Sequence, residues 1–208
     1  MLYHRKSWQV SYGEAIGILL LDSPIPFIPG DVANATTYDF PVRFKKVEGF
    51  SVQKALAGDT SIYPKLLAAA KDLKANGVRA VTGDCGFMAL HHTRLKKDLG
   101  LPVFLSSLLQ IPFIRQVIGD DQFVGIITAS QKNLTKATLS ASGITDPTGL
   151  IAEGLENCPE FKSSVLDENG SLDTEKMQAE VVQAARHLIS REPGIGAILL
   201  ECSVLPPY

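Results

Sequence analysis

Cysteine is scarce in this sequence. Cys85, Cys158 and Cys202 are the only three in 208 residues, and they form neither a C-x-x-C pair nor a cluster with histidine. That spacing indicates neither a zinc site nor a disulfide framework; reduced thiols in a cytoplasmic protein are the expectation. Long apolar runs are missing too. The run at 16–21 is far short of the ~20 residues that a membrane helix needs. His4, Arg5 and Lys6 precede it, but no small-residue cleavage site follows, so no secretory leader is read. Charge of one sign is not in excess: 20 Lys and Arg against 22 Asp and Glu leave a net −2. Nucleic-acid partners ask for a basic face, so neither a nucleic acid nor a membrane is an expected partner.

What is present is an ordinary globular composition, 45% hydrophobic and 20% charged. The length suits one large domain or two small lobes. The organising stretch is 78–90, V-R-A-V-T-G-D-C-G-F-M-A-L. A short apolar strand is followed by Gly83, Asp84, Cys85, Gly86 and a helix-like run at 87–95. Cys85 thus stands where a parallel strand ends and a helix begins, the edge at which open α/β sheets bind ligands. A helix N-terminus at that point favours thiolate. The pattern recurs near the end: A-V-T-G-D-C-G-F (80–87) aligns on cysteine with A-I-L-L-E-C-S-V (197–204). Apolar strands ending in a polar residue are common, so one match alone says little. A second match, I-G-I-L-L (16–20) against V-G-I-I-T (124–128), strengthens the repeat.

In chain order, the polar and aromatic residues 1–14 lack a period. A buried strand at 16–21 ends at Asp22-Ser23-Pro24. The segment 24–41 contains P-I-P-F-I-P-G-D-V-A-N-A, and its prolines, Gly30 and Asn34 forbid a helix. A loop of that length is functional or disordered; Ile25, Phe27, Ile28 and Phe40 argue against disorder. A strand is read at 42–47 and a helix at 63–76, with Pro64 in its first turn and Gly77 just beyond its end. A strand at 101–105 leads to Ser106 or Ser107, which cap a helix to 118. Gly119-Asp120-Asp121 marks the lobe boundary, giving a first lobe at 1–118 and a second at 119–208. The second lobe reads as a strand at 123–128, a helix at 131–142, a weak strand at 148–152, irregular chain at 158–170, a helix from Asp173 to about Ser190 and a strand at 197–200. Each half reads as strand, helix, strand, helix, strand, acid, cysteine. The first half continues beyond its cysteine; by the repeat's logic, roughly 30 residues are expected after Tyr208.

Two such lobes set their strand ends across a cleft, one thiol on each side. A thiol with a pKa near ~8.5 serves as acid or base near neutral pH. A pair of thiols suits an inverter of a stereocentre, whose acid and base exchange roles in the reverse direction. N–H groups at Gly86-Phe87 and Ser203-Val204 would hold a substrate carboxylate. Asp84 and Glu201 complicate this, since a nearby carboxylate raises a thiol's pKa; alternation along a strand would point them away from the sulfurs.

The motifs G-D-C-G-F-M-A (83–89) and L-E-C-S-V-L-P-P-Y (200–208), with the strand I-G-I-L-L-L-D-S, resemble the aspartate/glutamate/hydantoin racemase superfamily. The resemblance covers most of the chain. It implies an α/β fold of two pseudo-symmetric flavodoxin-like lobes with parallel sheets and the active site between them. It also implies a cofactor-independent racemase or isomerase of a small carboxylate, an amino acid or hydantoin-like compound, using neither pyridoxal phosphate nor metal. Cys85 and Cys202 would be its acid/base pair. Asp22-Ser23 matches a substrate-lining Asp-Ser of glutamate racemases, with Pro24 in place of the following glycine. Those enzymes follow their cysteines with Asn-Thr and Thr-His, where this chain has Gly86-Phe87 and Ser203-Val204, which argues against glutamate as substrate. Arylmalonate decarboxylases of the superfamily keep only the second cysteine; maleate isomerases use a cysteine as nucleophile.

Thr128 and Ser130, opposite Asp22-Ser23 in the repeat, are further candidates for substrate contact, with turn residues as the alternative. The loop at 29–34, including Asn34, is a candidate for setting substrate choice. Cys158 reads as structural, His91 and His92 as exposed helix positions, and His187 as the edge of an amphipathic helix. The expected partner is a small-molecule carboxylate, with a homodimer left open. Rival readings are a maleate-type cis-trans isomerase, a small-acid binding module without turnover, and a redox pair of thiols.

Overall fold

Two parallel sheets carry the chain, one in each half. The computed structural model describes residues 1–4 and 8–208; Arg5 and Lys6 lie outside the described residues. Strands β1 (Ile16–Leu20), β2 (Val42–Lys46), β3 (Ala80–Gly83) and β4 (Val103–Phe104) form one sheet in the order β2-β1-β3-β4. Strands β5 (Phe123–Thr128), β6 (Leu150–Gly154) and β7 (Ile195–Leu200) form the other in the order β6-β5-β7. Every pairing is parallel. In both sheets the first strand is central, with the second on one side and the third on the other. The fold is α/β with two parallel sheets, as expected.

The helices are α1 (Val52–Leu56), α2 (Tyr63–Ala75), α3 (His92–Leu99), α4 (Ile111–Ile114), α5 (Lys136–Ala141), α6 (Pro159–Phe161) and α7 (Thr174–Arg191). The two longest form where local signals agree. Helix α2 has Pro64 in its first turn, Gly77 at φ +94° beyond its end, and buried Leu66, Ala70 and Leu73. Helix α7 is capped by Asp173, whose carboxylate accepts from Lys176 N–H at 3.1 Å, and it buries Met177, Val181, Ala184 and Leu188. Both pack by the same device. A Cβ on Gly17 in β1 would stand 2.9 Å from Leu73 Cδ1, and one on Gly125 in β5 would stand 2.6 Å from Leu188 Cδ2. The central glycine of each sheet leaves the room that a helix leucine fills.

Several elements differ from the sequence reading. The crossover from β1 to β2 holds one 3₁₀ turn, Ala35–Thr37, rather than the helix of the repeat. After Cys85 the chain makes a 3₁₀ segment, Gly86–His91, before α3 begins at His92. Ser106 does cap a turn, but that turn is 3₁₀ (Ser107–Gln110), and α4 ends at Ile114. The helix expected at 131–142 is split into the turn Gln131–Asn133 and α5, which Thr135 caps. The segment read as irregular holds α6 and a π-helical turn, Lys162–Leu166. Glu180 of α7 caps it, accepting from the N–H groups of Glu160 and Phe161 at 2.7 and 2.8 Å. His91 and His92 are buried rather than exposed; the His91 ring meets Phe50 edge-on at 5.8 Å.

One apolar core runs from Leu19, Leu66 and Leu73 through Phe87 and Met88 to Leu205, Phe161 and Leu188, and so spans both halves. A second cluster covers the other face of the second sheet. It joins Val124, Ile126 and Leu199 to Leu108 and Ile111. The segment 107–114, placed before the expected boundary, therefore packs on the sheet that follows it.

Candidate active site

The two acid–cysteine steps match bond for bond. Asp84 N–H donates to Leu19 O at 3.0 Å, and Glu201 N–H donates to Ile127 O at 2.8 Å; Leu19 and Ile127 are equivalent positions of the two central strands. The carboxyls turn back in the same way. Both Asp84 oxygens accept from Leu21 N–H, at 3.0 and 3.1 Å. Glu201 accepts from the Thr128 hydroxyl at 2.9 Å, and the Ala129 amide, at the position equivalent to Leu21, offsets part of the rise in its pKa. Beyond the cysteines, Met88 N–H donates to Cys85 O at 3.0 Å and Leu205 N–H donates to Cys202 O at 3.2 Å. The N–H of Phe87 offsets part of the rise in the Cys85 pKa, and that of Val204 part of the rise at Cys202.

The halves meet at this point. Ser203 Oγ donates to the carbonyl of Asp84, and Ser107 Oγ donates to Leu200 O at 2.8 Å. Glu201 lies directly against Gly86, where any Cβ would collide with it. Cys85 and Cys202 both line one cavity of about 30 Å³, together with Ser23, Phe27, Asp84 and Glu201; that is space for about one water molecule. Next to it opens a groove of about 610 Å³ that reaches Cys202, Glu201, Gly86, Ser203, Tyr38 and Thr82. Cys202 borders both spaces.

Burial pushes the Cys85 thiol well above its ordinary pKa, and the charges of Glu201, Asp84 and Cys202 add to the rise. Burial, then Glu201, drives Cys202 up as well. The thiolate preference expected from a helix N-terminus does not appear at Cys85, because one 3₁₀ turn is a weak dipole beside burial and two acids. The acids themselves are raised. Burial lifts Asp84 and Glu201 to about 7, and Asp31, from the loop between β1 and β2, also to about 7. Glu201 Oε1 is buried with no hydrogen-bond partner. The arrangement sets thiols that hold their protons beside carboxyls poised near neutrality.

The other sequence candidates divide. Gly86 and Ser203 line both spaces, while Ser23, Phe87 and Val204 line the small cavity. Asp22, Asn34, Thr128 and Ser130 line neither. Asp22 accepts from Gly49 N–H at 2.8 Å and pairs with Lys46 at 3.0 Å; the Gly49 bond, then Lys46, holds its carboxyl below the usual range. Asn34 caps the turn after it, accepting from Thr36 N–H, and donates to Phe27 O, both at 2.9 Å. Ser130 donates to Asn133 Oδ1 at 2.7 Å. Thr128 holds Glu201.

Asp31 belongs to the loop at 29–34 that the sequence offers for substrate choice; it is buried, and its carboxylate accepts from Ala33 N–H at 2.8 Å. Its loop is tied internally: Gly30 N–H donates to Thr37 Oγ1 at 2.9 Å, and Tyr38 OH donates to Val32 O at 2.7 Å. Gly30, at φ +100°, packs on Pro207, which brings the loop over the end of the second half.

Fold and site together define a two-lobed parallel α/β protein with a thiol from each lobe at one cavity. No family model matches the chain. Its sequence is 29% identical over 203 residues to a dimethylsulfoniopropionate lyase of Durusdinium sp. clade D, covering 93% of this chain and 66% of that protein. It is 28% identical over 205 residues to dimethylsulfoniopropionate lyase 6 of Emiliania huxleyi, covering 93% and 53%. The chain thus spans about half to two-thirds of the length of these curated relatives. Among solved structures, it resembles an aspartate racemase homologue from Pyrococcus horikoshii (TM-score 0.52, 14% identity, 93% of this chain and 87% of that one). It also resembles an arylmalonate decarboxylase (0.53, 17%, 91% and 78%). A third is the maleate cis-trans isomerase of Nocardia farcinica, in a form with a covalently bound succinylcysteine intermediate (0.53, 16%, 94% and 80%). These three show the two-lobe fold that the chain shares; the lyases it matches in sequence are enzymes, which supports an enzyme here. Among the described residues no helix is long and apolar enough to cross a membrane.

Proposed function

We propose that this chain is the catalytic unit of an enzyme that takes a proton from the carbon beside a carboxylate, with Cys85 and Cys202 as its acid/base groups and without a cofactor. The reaction is an elimination on an onium-bearing propionate such as dimethylsulfoniopropionate. The observation that carries this reading is Cys202 bordering the groove of about 610 Å³ while sharing the small cavity beside it with Cys85, at equivalent strand ends. A thiolate takes the proton from C2 of the propionate. The C–H electron pair becomes the C2–C3 double bond, the C3–S bond breaks, and its pair leaves on sulfur. The products are dimethyl sulfide, acrylate and a protonated thiol, so atoms and charge balance. Once the products leave, the thiol returns its proton to water and the base is restored. The names of the sequence relatives support this substrate.

A second reading, a racemase of a small carboxylate, starts with the same proton removal. The equivalence of the two thiols favours it, since inversion needs a group on each side of the carbon whereas elimination needs one base.

One incubation in deuterated water separates the two. Dimethylsulfoniopropionate is supplied and dimethyl sulfide is measured in the headspace, while resolved amino acids are followed in parallel for optical rotation and deuterium at C2. Release of dimethyl sulfide supports the elimination. Racemisation with deuterium uptake and no dimethyl sulfide supports the second reading. The absence of all three rejects both.

A further inference from the structure

No cation borders the paired thiols. Among the described residues that line the small cavity and the groove, the ionisable side chains are Tyr38, Asp84, Cys85, Glu201 and Cys202; none is a lysine, arginine or histidine. A substrate carboxylate there must be held by neutral donors. So must the further negative charge that reaches its oxygens as the neighbouring carbon is deprotonated. Tyr38 and Asp84 are engaged: the Tyr38 hydroxyl donates to Val32 O at 2.7 Å, and both Asp84 oxygens accept from Leu21 N–H. Glu201 is only half engaged. It is 2% exposed, and the ion pairs of the described residues do not include it. A carboxyl buried to that extent without a positive partner keeps its proton. Oε2 accepts from the Thr128 hydroxyl at 2.9 Å, so the proton belongs on Oε1. Oε1 is buried with no hydrogen-bond partner. It lies over Gly86, which, like Glu201, lines both spaces.

We propose that Glu201 acts as a neutral carboxylic acid and is a catalytic residue: its Oε1–H donates to the substrate carboxylate and steadies the charge that builds there as the neighbouring carbon loses its proton. This rests on the proton abstraction proposed above and adds the group that stabilises it. The proton stays on Oε1, so no bond is made or broken at Glu201. The hydrogen bond strengthens as its acceptor gains charge, and a contact that is stronger at the transition state than in the ground state accelerates the step. Burial lifts Glu201 to about 7, so the donor form prevails below neutrality and fades above it. Ser23 Oγ, also buried without a partner, is a second neutral donor of the small cavity.

Isothermal titration with propanoate, which has no leaving group, reads the contact without elimination. Wild-type affinity should fall about tenfold from pH ~6 to pH ~8, as Glu201 ionises. Glu201→Gln, whose amide N–H replaces the O–H, should keep the affinity found at the lower pH and lose most of the fall. Glu201→Met, of similar length but without a donor, should lose about tenfold or more at the lower pH. A group that only repelled the anion when ionised would instead leave this variant binding as well as the wild type. If Glu201→Met does not fold, difference infrared spectroscopy takes its place: the carbonyl stretch of a protonated carboxyl, absent from Glu201→Gln, should shift when propanoate binds. Undiminished affinity in Glu201→Met, an undiminished fall in Glu201→Gln, an unshifted stretch, or no binding of propanoate by the wild type overturns the proposal. Rates keep it apart from the elimination. Glu201→Met should lose about 10²–10³ of the rate of dimethyl sulfide release; release at the wild-type rate leaves the elimination standing and rejects Glu201 as its donor. The expected affinities without any release leave the donor standing and reject only the elimination.

Discussion

Gly86 and Glu201, from opposite halves of the chain, are packed so closely that a Cβ on residue 86 would stand 2.5 Å from the Glu201 carbonyl oxygen and closer still to Oε1. The glycine is needed there for close approach and not for a turn. Its equivalent in the repeat, Ser203, carries a side chain and uses it to hold the carbonyl of Asp84. The pseudo-symmetry breaks at this pair, and the break sets how closely the two strand ends meet.

Gly86→Ala should therefore cost about 1–3 kcal/mol through overpacking. Urea denaturation reads this as a lower midpoint with an unchanged slope. Loss of ligand binding should accompany it, because the inserted methyl group pushes Glu201 away from both spaces.

Thr128→Val keeps the shape of a fully buried side chain and removes the hydroxyl that donates to Glu201 at 2.9 Å. The cost expected for leaving that buried carboxyl oxygen short of a donor is about 1–3 kcal/mol. Thr128→Ser, which keeps the hydroxyl, should recover the part due to the hydrogen bond; equal losses in both variants would assign the effect to packing.

The pH dependence of stability has a definite sign. Glu201 moves from 4.5 to about 7 and Asp84 from 3.8 to about 7 on folding, chiefly through burial. Between those values the folded state binds more protons than the unfolded one. Their contribution is greatest below the unfolded values, is lost as pH rises towards 7, and is constant above that. Glu201→Gln removes one such group, so the fall in unfolding free energy between pH 5 and 7 should become shallower by up to about 1.4 kcal/mol per pH unit. An identical slope in the variant would show that Glu201 does not titrate in this range.

The sheets were legible in the sequence because buried parallel strands are written as short apolar runs, and the repeat matched strands of one half to those of the other. Helices α2 and α7 were legible because their caps and apolar stripes are local. Helix α6 and the turn after it were not, since the carboxylate that caps them, Glu180, lies about twenty positions further on. The burial of His91 depends on Phe50, brought in from a distant part of the chain. Within the site, the acid–cysteine steps could be aligned by eye. What the neighbouring acids do could not: both fold back on the adjacent strand yet stay close enough to raise the thiols. Asp22 matched a family pattern, but Gly49 and Lys46 occupy its carboxylate. Asp31 fell within the candidate loop at 29–34, but nothing local marked its burial.

The most direct test of the paired thiols is the rate of proton abstraction, followed by deuterium uptake or dimethyl sulfide release, in Cys85→Ser, Cys202→Ser and the double variant. At least the variant that lacks the base should lose about 10²–10⁴ of the rate, and the double variant should be no worse than the poorer single one, because groups that act as a unit fail together. Wild-type rates in both single variants, with their folds intact, would contradict the account.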